Sequence, residues 1–321
     1  MFLGIEIGGT KLQLGVGAGT GPPLAALERL DVQPERKAEG IREQIRQAAG
    51  PLIERFAVKA VGLGFGGPVD AARGRTLLSN QIEGWNDFPL VDWCERAFGL
   101  PALLANDSDS AGVAEARFGA GRGHRVVFYN NVGSGIGGAL IVEGRLYQGG
   151  SGVAAEIGHL RPGLGAVTPA QDLESIASGW GMTAAVRASL GRQPADPEAA
   201  SDAQDLLGRC GGRLDRLNTR LIAEAAGAGN RIARGAFDAA CQAIGWALAQ
   251  VITLLAPNVV VMGGGVSLAG EALFFEPLRR EVRRYVFPPL EGSCQIVPAE
   301  LGEEMVVHGV LALAAEQHAT A

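Results

Sequence analysis

The sequence predicts an α/β protein with two domains. Apolar runs of strand length alternate with stretches of helical spacing along its 321 residues. A strand, a glycine turn and a second strand follow one another at residues 2–16 and again at 126–147. The length favours two domains over one. We expect a first α/β domain of residues 1–118, completed by a returning helix at 303–321, and a larger second domain of residues 119–302.

Strand and helix patterns alternate through both halves of the chain. Strands are indicated by continuous or alternating apolar residues, and helices by apolar residues three or four apart. In the first half, the expected strands are 2–7, 12–16, 24–30, 58–65 and 100–105, and the expected helices are 41–56, 90–98 and 108–118. In the second half, the expected strands are 126–132, 139–142, 145–147, 259–262 and 293–297, and the expected helices are 232–255 and 303–317.

A capping pattern predicts one further helix. Thr168 at the N-cap, Pro169 at the first helical position and Gln171 three residues after the cap form a capping box. The helix that begins there would carry Glu174 in its second turn.

The composition excludes several classes of protein. The net charge is −6, so there is no electrostatic case for binding nucleic acid. No uninterrupted apolar stretch of about 18 residues is present, and no signal peptide is evident, so neither a membrane span nor secretion is expected. The cysteines are scattered without paired spacing, which fits a reducing cytoplasm. They are Cys94, Cys210, Cys241 and Cys294.

Asn106 and Asp107 lie where a predicted buried strand ends and an alanine-rich helix begins. In open α/β sheets, ligands bind at the carboxyl ends of strands. An aspartate at that place could take a proton from a bound hydroxyl. The alternative is a structural one, because Asn, Asp and Ser all favour the N-cap of a helix.

Three glycine clusters accompany this stretch. Residues 8–11 (Gly-Gly-Thr-Lys) form either a simple hairpin turn or a cradle for a phosphate. Residues 133–138 fit the dinucleotide pattern G-x-G-x-x-G, but an apolar strand follows where a dinucleotide site needs a helix, so we reject a nicotinamide site. Residues 263–265 are three glycines after a buried strand, where a flat ring or a phosphate could approach the backbone.

The opening segment Gly4-Ile5-Glu6-Ile7-Gly8-Gly9-Thr10-Lys11 resembles the first phosphate motif of the ROK family of sugar kinases and repressors. Further segments follow in the order of that family over nearly the whole chain. They are Asn80 with Gly84-Trp85, Asn106-Asp107, Gly133–Gly138, Glu156-Ile157-Gly158-His159, Leu173-Glu174 and Gly263-Gly264-Gly265. The resemblance implies a two-domain actin-like ATPase (ribonuclease H-like) fold with the active-site cleft between the domains.

The resemblance also implies roles for these residues. Asp107 would be the general base that takes the proton of the sugar hydroxyl. ATP would be held by Gly8, Gly9, Thr10, Lys11, Gly133, Ser134, Gly135, Gly263, Gly264 and Gly265. The remaining sugar hydroxyls would be bound by Asn80, Asn106, Glu156, His159 and Glu174. A sugar is uncharged and rich in hydroxyls, so neutral and acidic acceptors suit it.

The chain departs from the family pattern at two places. Glu6 stands where the family usually has an aspartate near Mg²⁺ and the phosphates, and its extra methylene displaces the carboxylate by about one bond length. The family usually has three cysteines after the Glu-x-Gly-His motif, which with the histidine bind zinc. Residues 160–175 contain no cysteine, so we expect no zinc site.

Three functions are compatible with the sequence. The first is an ATP- and Mg²⁺-dependent kinase that phosphorylates glucose, or a relative such as an N-acetylhexosamine, at the 6-hydroxyl. The second is a sugar- or nucleotide-binding protein with weak catalysis, suggested by Glu6 and the missing cysteines. A repressor is the third, and we disfavour it because the phosphate motif begins at residue 4, which leaves no room for a preceding DNA-binding segment. The family resemblance further implies a homodimer.

Overall fold

The structure is a computed structural model that describes residues 1–79 and 81–320. The chain divides into two structural units. The first unit contains Met1–Val127, Ala139–Ala154 and the residues from Ala299 onward, and the second contains Phe128–Gly138 and Ala155–Pro298.

Strands and helices of the described residues are numbered here in chain order. The strands are β1 (Phe2–Ile7), β2 (Lys11–Gly17), β3 (Ala26–Asp31), β4 (Val61–Phe65), β5 (Val69–Asp70), β6 (Arg75–Thr76), β7 (Ala102–Asn106), β8 (Val126–Val132), β9 (Ile136–Val142), β10 (Arg145–Leu146), β11 (Val259–Gly263) and β12 (Gln295–Pro298). The α-helices are α1 (Lys37–Phe56), α2 (Leu90–Phe98), α3 (Asp107–Phe118), α4 (Leu173–Ala177), α5 (Gly179–Leu190), α6 (Pro197–Arg209), α7 (Thr219–Gly227), α8 (Arg231–Leu255), α9 (Glu276–Tyr285) and α10 (Met305–Thr320).

The first unit is built on a five-stranded sheet of order β3-β2-β1-β4-β7. Strands β1, β2 and β3 form an antiparallel meander, and β1, β4 and β7 run parallel. Helix α10 packs against β1, β2, β4 and α3. Glycines allow this close approach, because a Cβ on Gly62 would lie 2.4 Å from the carbonyl oxygen of Val310, and one on Gly309 would lie 1.9 Å from that of Ser110. The backbone of α10 therefore lies directly against the sheet and against α3.

The second sheet has the order β10-β9-β8-β11-β12, which repeats the connectivity of the first. The boundary between the two units falls within β8 and β9. In the second unit, the long helix α8 is buried along most of its length and contacts α4, α5, α7 and α9. By length and composition α8 could cross a membrane, but 56% of its most apolar window is buried, as in the core helix of a soluble protein.

The two units divide the chain at other residues than the sequence analysis expected. Residues 119–127, 139–154 and 299–302 lie in the first unit, not the second. The hairpin β9–β10 ends against α3, where the guanidinium Nε of Arg117 donates to the carbonyl oxygen of Gly144 at 2.9 Å. Strand β9 thus leaves the second unit and its last residues pack with the first.

The prediction of a helix beginning after Thr168 was wrong. The side chain of Gln171 does accept hydrogen bonds from the backbone N–H groups of Thr168 and Val167, both at 3.0 Å, but this closes a turn. Helix α4 begins at Leu173, and its N-cap is Asp172, whose carboxylate accepts the N–H of Ser175 at 2.9 Å. The stronger charged cap, four residues later, sets the helix start.

Candidate active site

The first group of predicted site residues gathers at one edge of the sheet in the first unit. The register pairs Ile7 with Phe65 and Phe65 with Asn106, so β1, β4 and β7 end side by side. The turn of residues 8–11 follows β1, and Asp107 follows β7. This edge consequently carries the first glycine turn, Glu6 and Asp107 together.

Glu6 is a nearly buried carboxylate held by a polar network. The side-chain Nε2 of Gln13 donates to Glu6 Oε2 at 2.6 Å and to the carbonyl oxygen of Glu303 at 2.8 Å. Burial raises the pKa of Glu6; Lys11 and the Gln13 hydrogen bond oppose that rise, and the negative charges of Asp107 and Glu303 add to it. A carboxylate held in this way is poised to face a cation.

Lys11 closes the first glycine turn and faces two carboxylates. Its backbone carbonyl accepts the N–H of Gly8 at 3.1 Å. Its ammonium Nζ lies 3.8 Å from Glu6 Oε1 and 3.8 Å from Glu303 Oε2, with 37% of the side chain exposed. The turn is therefore a hairpin by geometry, and its lysine lies beside the Glu6 carboxylate.

Asn106 takes the N-cap role, which the sequence left open among its Asn, Asp and Ser residues. Asn106 is the N-cap of α3: its Oδ1 accepts the N–H of Ser108 at 2.8 Å, and its Nδ2 donates to the carbonyl oxygen of Gly67 at 3.0 Å. Asp107 is the first helical residue, and its Oδ1 also accepts the N–H of Ser108, at 2.7 Å. The two side chains share the N–H of Ser108, and Asn106 alone also accepts the N–H of Asp109, at 3.3 Å.

The second glycine turn joins β8 to β9 in the second unit. Gly133 donates its N–H to the carbonyl oxygen of Gly135 at 2.9 Å, and Gly179, at the start of α5, donates to the carbonyl oxygen of Gly133 at 2.8 Å. A Cβ on Gly179 would lie 2.9 Å from that same oxygen. Strand β9 follows the turn directly, as the apolar pattern predicts, where a dinucleotide site would need a helix.

The third glycine cluster packs against the same hairpin. Gly264 has a φ of +87°, and a Cβ there would lie 2.4 Å from the carbonyl oxygen of Val132. Gly265 has open space where a Cβ would stand. Beside it lies a cavity of about 900 Å³ whose lining includes Gly133, Ser134, Gly179, Trp180, Thr183, Arg187, Asn218, Thr219, Glu224, Phe237 and Gly265. The cavity therefore adjoins both the second and the third glycine cluster.

Glu156, His159 and Glu174 come together beside this hairpin. The segment before His159 packs tightly on β9, because a Cβ on Gly158 would lie 2.2 Å from the carbonyl oxygen of Ile136. Although Glu156 as a residue is exposed, desolvation of its carboxyl raises its pKa; His159 opposes this shift and Glu174 adds to it. Glu174 Oε2 accepts the backbone N–H of Ile136 at 2.6 Å.

One predicted site residue lies outside the described part of the chain, and two residues that contact the site were not predicted. Asn80, predicted to bind sugar, lies outside the described residues. Gln13 and Asp172 were missed: Gln13 sits among the alternating apolar residues of β2, and Asp172 sits next to the misplaced helix start. A fully buried polar residue such as Gln13 is detectable only once it is known that both faces of its sheet are covered.

The two metals that the family resemblance implies fit this chain differently. Mg²⁺ prefers oxygen ligands and is usually held by one or two carboxylates together with substrate phosphates. Glu6 offers one such carboxylate, and the negative charge of Asp107 is among the causes that raise the pKa of Glu6. A structural zinc site does not fit, because the described residues contain no cluster of three or more His, Cys, Asp or Glu side chains able to hold a metal.

Comparison with known proteins gives a consistent result. The ROK family model matches residues 2–317. The chain is 32% identical over 321 residues to a glucokinase of Streptomyces coelicolor and 28% identical over 316 residues to a glucokinase of Thermotoga maritima, with 98% of both chains covered in each case.

Solved structures agree with the sequence matches. A ROK family glucokinase from Streptomyces griseus in complex with glucose and AMPPNP has a TM-score of 0.82 at 32% identity, covering 98% of this chain and 99% of that one. A ROK hexokinase from Thermus thermophilus has a TM-score of 0.81 at 28% identity, covering 100% and 99%. The predicted actin-like α/β fold class is thereby confirmed, and the chain belongs to the ROK family.

Proposed function

We propose that this protein is an ATP-dependent kinase that phosphorylates glucose or a close relative, such as an N-acetylhexosamine, at its 6-hydroxyl. The glucokinase relatives support a hexose as substrate, and the AMPPNP complex of the S. griseus enzyme supports ATP as donor. The observation that carries the proposal is Asp107 at the first position of α3, beside the Asn106 cap and on the same sheet edge as Glu6. We also propose that the protein is cytoplasmic and forms a homodimer.

The nucleotide would be held by the glycine clusters. In the second unit, the cavity beside Gly265 would take adenosine, and the turn at 133–135 would present backbone N–H groups to phosphate oxygens. In the first unit, the turn at 8–11 and the Lys11 ammonium would hold further phosphate oxygens. Mg²⁺, held by Glu6, would neutralise charge on the phosphates.

The sugar would be held by hydrogen-bonding side chains. Glu156, His159 and Glu174 in the second unit would bind ring hydroxyls, as would Asn106 in the first; Asn80 is proposed on the family resemblance alone. Each wrong hydroxyl configuration would leave one of these groups unpaired, which is the physical basis of sugar selection.

Asp107 would act as general base. Its carboxylate takes the proton of the 6-hydroxyl, the sugar oxygen forms a bond to the γ-phosphorus, and the bond from that phosphorus to the β–γ bridging oxygen breaks. ADP leaves with the bonding electrons, and Asp107 later returns the proton to water. A positioned general base contributes about 10²–10⁴ in rate.

A second candidate function is a binding protein with weak catalysis. It is favoured by Glu6, whose longer side chain is locked by Gln13 and cannot shift freely to the place of an aspartate. An activity assay on the Glu6→Asp variant separates this candidate from the first.

The test is ADP release with Mg²⁺ and ATP across glucose, mannose, fructose, N-acetylglucosamine and N-acetylmannosamine. We expect turnover on at least one sugar. In Asp107→Asn the turnover rate should fall by a factor of about 100 or more, the magnitude typical of a lost general base. Asp109→Asn, the next carboxylate in the first turn of α3, is the matched control and should retain activity.

Two outcomes would reject the proposal. An unchanged turnover rate in Asp107→Asn would remove the base assignment. Absence of turnover on every sugar, with Glu6→Asp also inactive while sugar binding persists in calorimetry, would favour the binding protein.

A further inference from the structure

Asp172 contacts two features of the second unit at once. Its Oδ2 lies 3.2 Å from Nδ1 of His159, and its Oδ1 accepts the backbone N–H of Ser175 at 2.9 Å. Only 13% of the Asp172 side chain is exposed, whereas 66% of the His159 side chain is. One carboxylate therefore connects an exposed imidazole to the first turn of α4, the helix that carries Glu174.

The segment around His159 offers no metal site that could orient the imidazole. Residues 160–175 have no cysteine, and the described part of the chain has no cluster of three metal-ligating side chains. Hydrogen bonds hold this segment instead: Leu173 donates its N–H to the carbonyl oxygen of Leu160 at 2.8 Å, and the Gln171 side chain closes the turn after Val167. These contacts join the two ends of the segment by hydrogen bonds alone.

The contact between Asp172 and His159 determines which ring nitrogen of the neutral imidazole carries the hydrogen. An ionised carboxylate only accepts hydrogen bonds, so the nitrogen that faces it must carry the hydrogen. In neutral His159 this leaves Nε2 unprotonated, as an acceptor on the exposed side of the ring. The same carboxylate fixes the ring orientation, because the N-cap bond to Ser175 holds Asp172 in place.

We infer that Asp172 is a positioning residue that replaces a metal: it fixes the Nδ1–H tautomer of His159, so that Nε2 accepts a hydrogen bond from a sugar hydroxyl, and it caps the helix that presents Glu174. The effect on sugar binding rests on the proposed kinase function. The tautomer and the independence from zinc do not, so they are tested separately.

The first experiment measures the tautomer directly. The chain has four histidines, so a sample labelled with ¹⁵N-histidine gives few ring signals, and His159→Gln assigns those of His159. At about pH 8.5, two units above the usual histidine pKa of about 6.5, long-range ¹H–¹⁵N spectra distinguish the two neutral tautomers. We expect Nδ1–H in the natural chain and Nε2–H in Asp172→Asn, because the amide can donate to Nδ1.

Asp172→Asn retains a good N-cap oxygen, so a folded protein is expected. Asp196→Asn makes the same change at the N-cap of α6 and should leave the His159 signals unmoved. An Nε2–H tautomer in the natural chain, or the same tautomer in Asp172→Asn, would overturn the proposal. So would one equivalent of zinc per chain in metal analysis of protein purified without chelator.

The second experiment measures kinetics. Asp172→Asn should raise the KM for the sugar about 10-fold, the lower end of the range found for residues that orient metal-ligating histidines. The KM for ATP should stay within about twofold. If no variant turns over any sugar while the tautomer changes as expected, the kinase proposal fails and the positioning of His159 stands. An unchanged sugar KM with a changed tautomer would reject only the link to sugar.

Discussion

The carboxylate of Glu174 accepts the backbone N–H of Ile136 at 2.6 Å, which joins helix α4 to the first residue of β9. Its other oxygen lies 3.4 Å from Nε1 of Trp180, a residue that lines the large cavity. Glu174 and the glycine turn lie close together, because a Cβ on Gly135 would lie 2.6 Å from Glu174 Oε2. Glu174 therefore supports the glycine turn at 133–135 as well as standing beside Glu156.

These two contacts of Glu174 predict that its Gln and Ala variants differ in their KM for ATP. Glu174→Gln keeps an oxygen that can accept the N–H of Ile136, so the KM for ATP should stay within about twofold while the KM for sugar rises. Glu174→Ala leaves that N–H unpaired and should raise both KM values. Hydrogen bonds to charged groups contribute about 1.5–3 kcal/mol, which corresponds to about 10- to 100-fold. Initial rates with each substrate varied in turn measure this split.

The control for Glu174 is Glu156→Gln. Glu156 acts on Glu174 through its charge and does not hold the glycine turn, so this substitution should change the sugar KM alone. Equal effects of the Gln and Ala variants of Glu174 on the ATP KM would show that the Ile136 contact does not support the nucleotide site.

Burial of Glu6 predicts a conflict between stability and activity. Its pKa is raised in the folded state, so its contribution to stability is full below the unfolded pKa of about 4.3 and is lost as the pH rises through the folded pKa. Glu6→Gln removes this loss. We expect the variant to unfold at higher urea concentration than the natural chain at neutral pH, with a difference that shrinks toward about pH 4, and to have little kinase activity.

Glu303→Gln is the matched control for Glu6. Its carboxylate lies the same 3.8 Å from the Lys11 ammonium, but 71% of the Glu303 side chain is exposed against 12% for Glu6. Unfolding curves of Glu303→Gln should follow the natural chain at every pH. If Glu6→Gln is less stable than the natural chain at neutral pH, the hydrogen bond from Gln13 outweighs the cost of burial.

Local patterns predicted most elements of the fold because their signals lie within a few residues. The bounds of β1, α2, β8 and α8 fall within one residue of the predicted ones. The start of α4 was misplaced because the Thr168–Gln171 pattern satisfies its hydrogen bonds in a turn, and sequence spacing does not distinguish a turn from a first helical turn.

Contacts between distant residues could not be predicted from the sequence. Glu115 looks like a surface residue in an alanine-rich helix, yet it is fully buried and its carboxylate accepts the N–H groups of Ala120, Glu300 and Leu301. Gln13 and Asp172 are similar cases, since each acquires its role from a partner or a chain turn that only the folded structure brings close. The position of Asp107 was predictable because strand, cap and helix are contiguous there.

The burial of His308 predicts that the folded protein loses stability in acid. It lies on α10 with 3% of its side chain exposed, and burial lowers its pKa, with the carboxylate of Glu304 opposing the shift from 3.8 Å. A lowered folded pKa means that stability is full above the unfolded pKa of about 6.5 and falls as the unfolded chain takes up its proton below it. We expect urea unfolding between about pH 7.5 and pH 5.5 to show a smaller loss of stability in His308→Gln than in the natural chain.

The control is substitution of His318, an exposed histidine on the same helix. His318→Gln should show the same dependence of stability on pH as the natural chain. The same pH slope in His308→Gln as in the natural chain would mean that other groups cause the acid sensitivity.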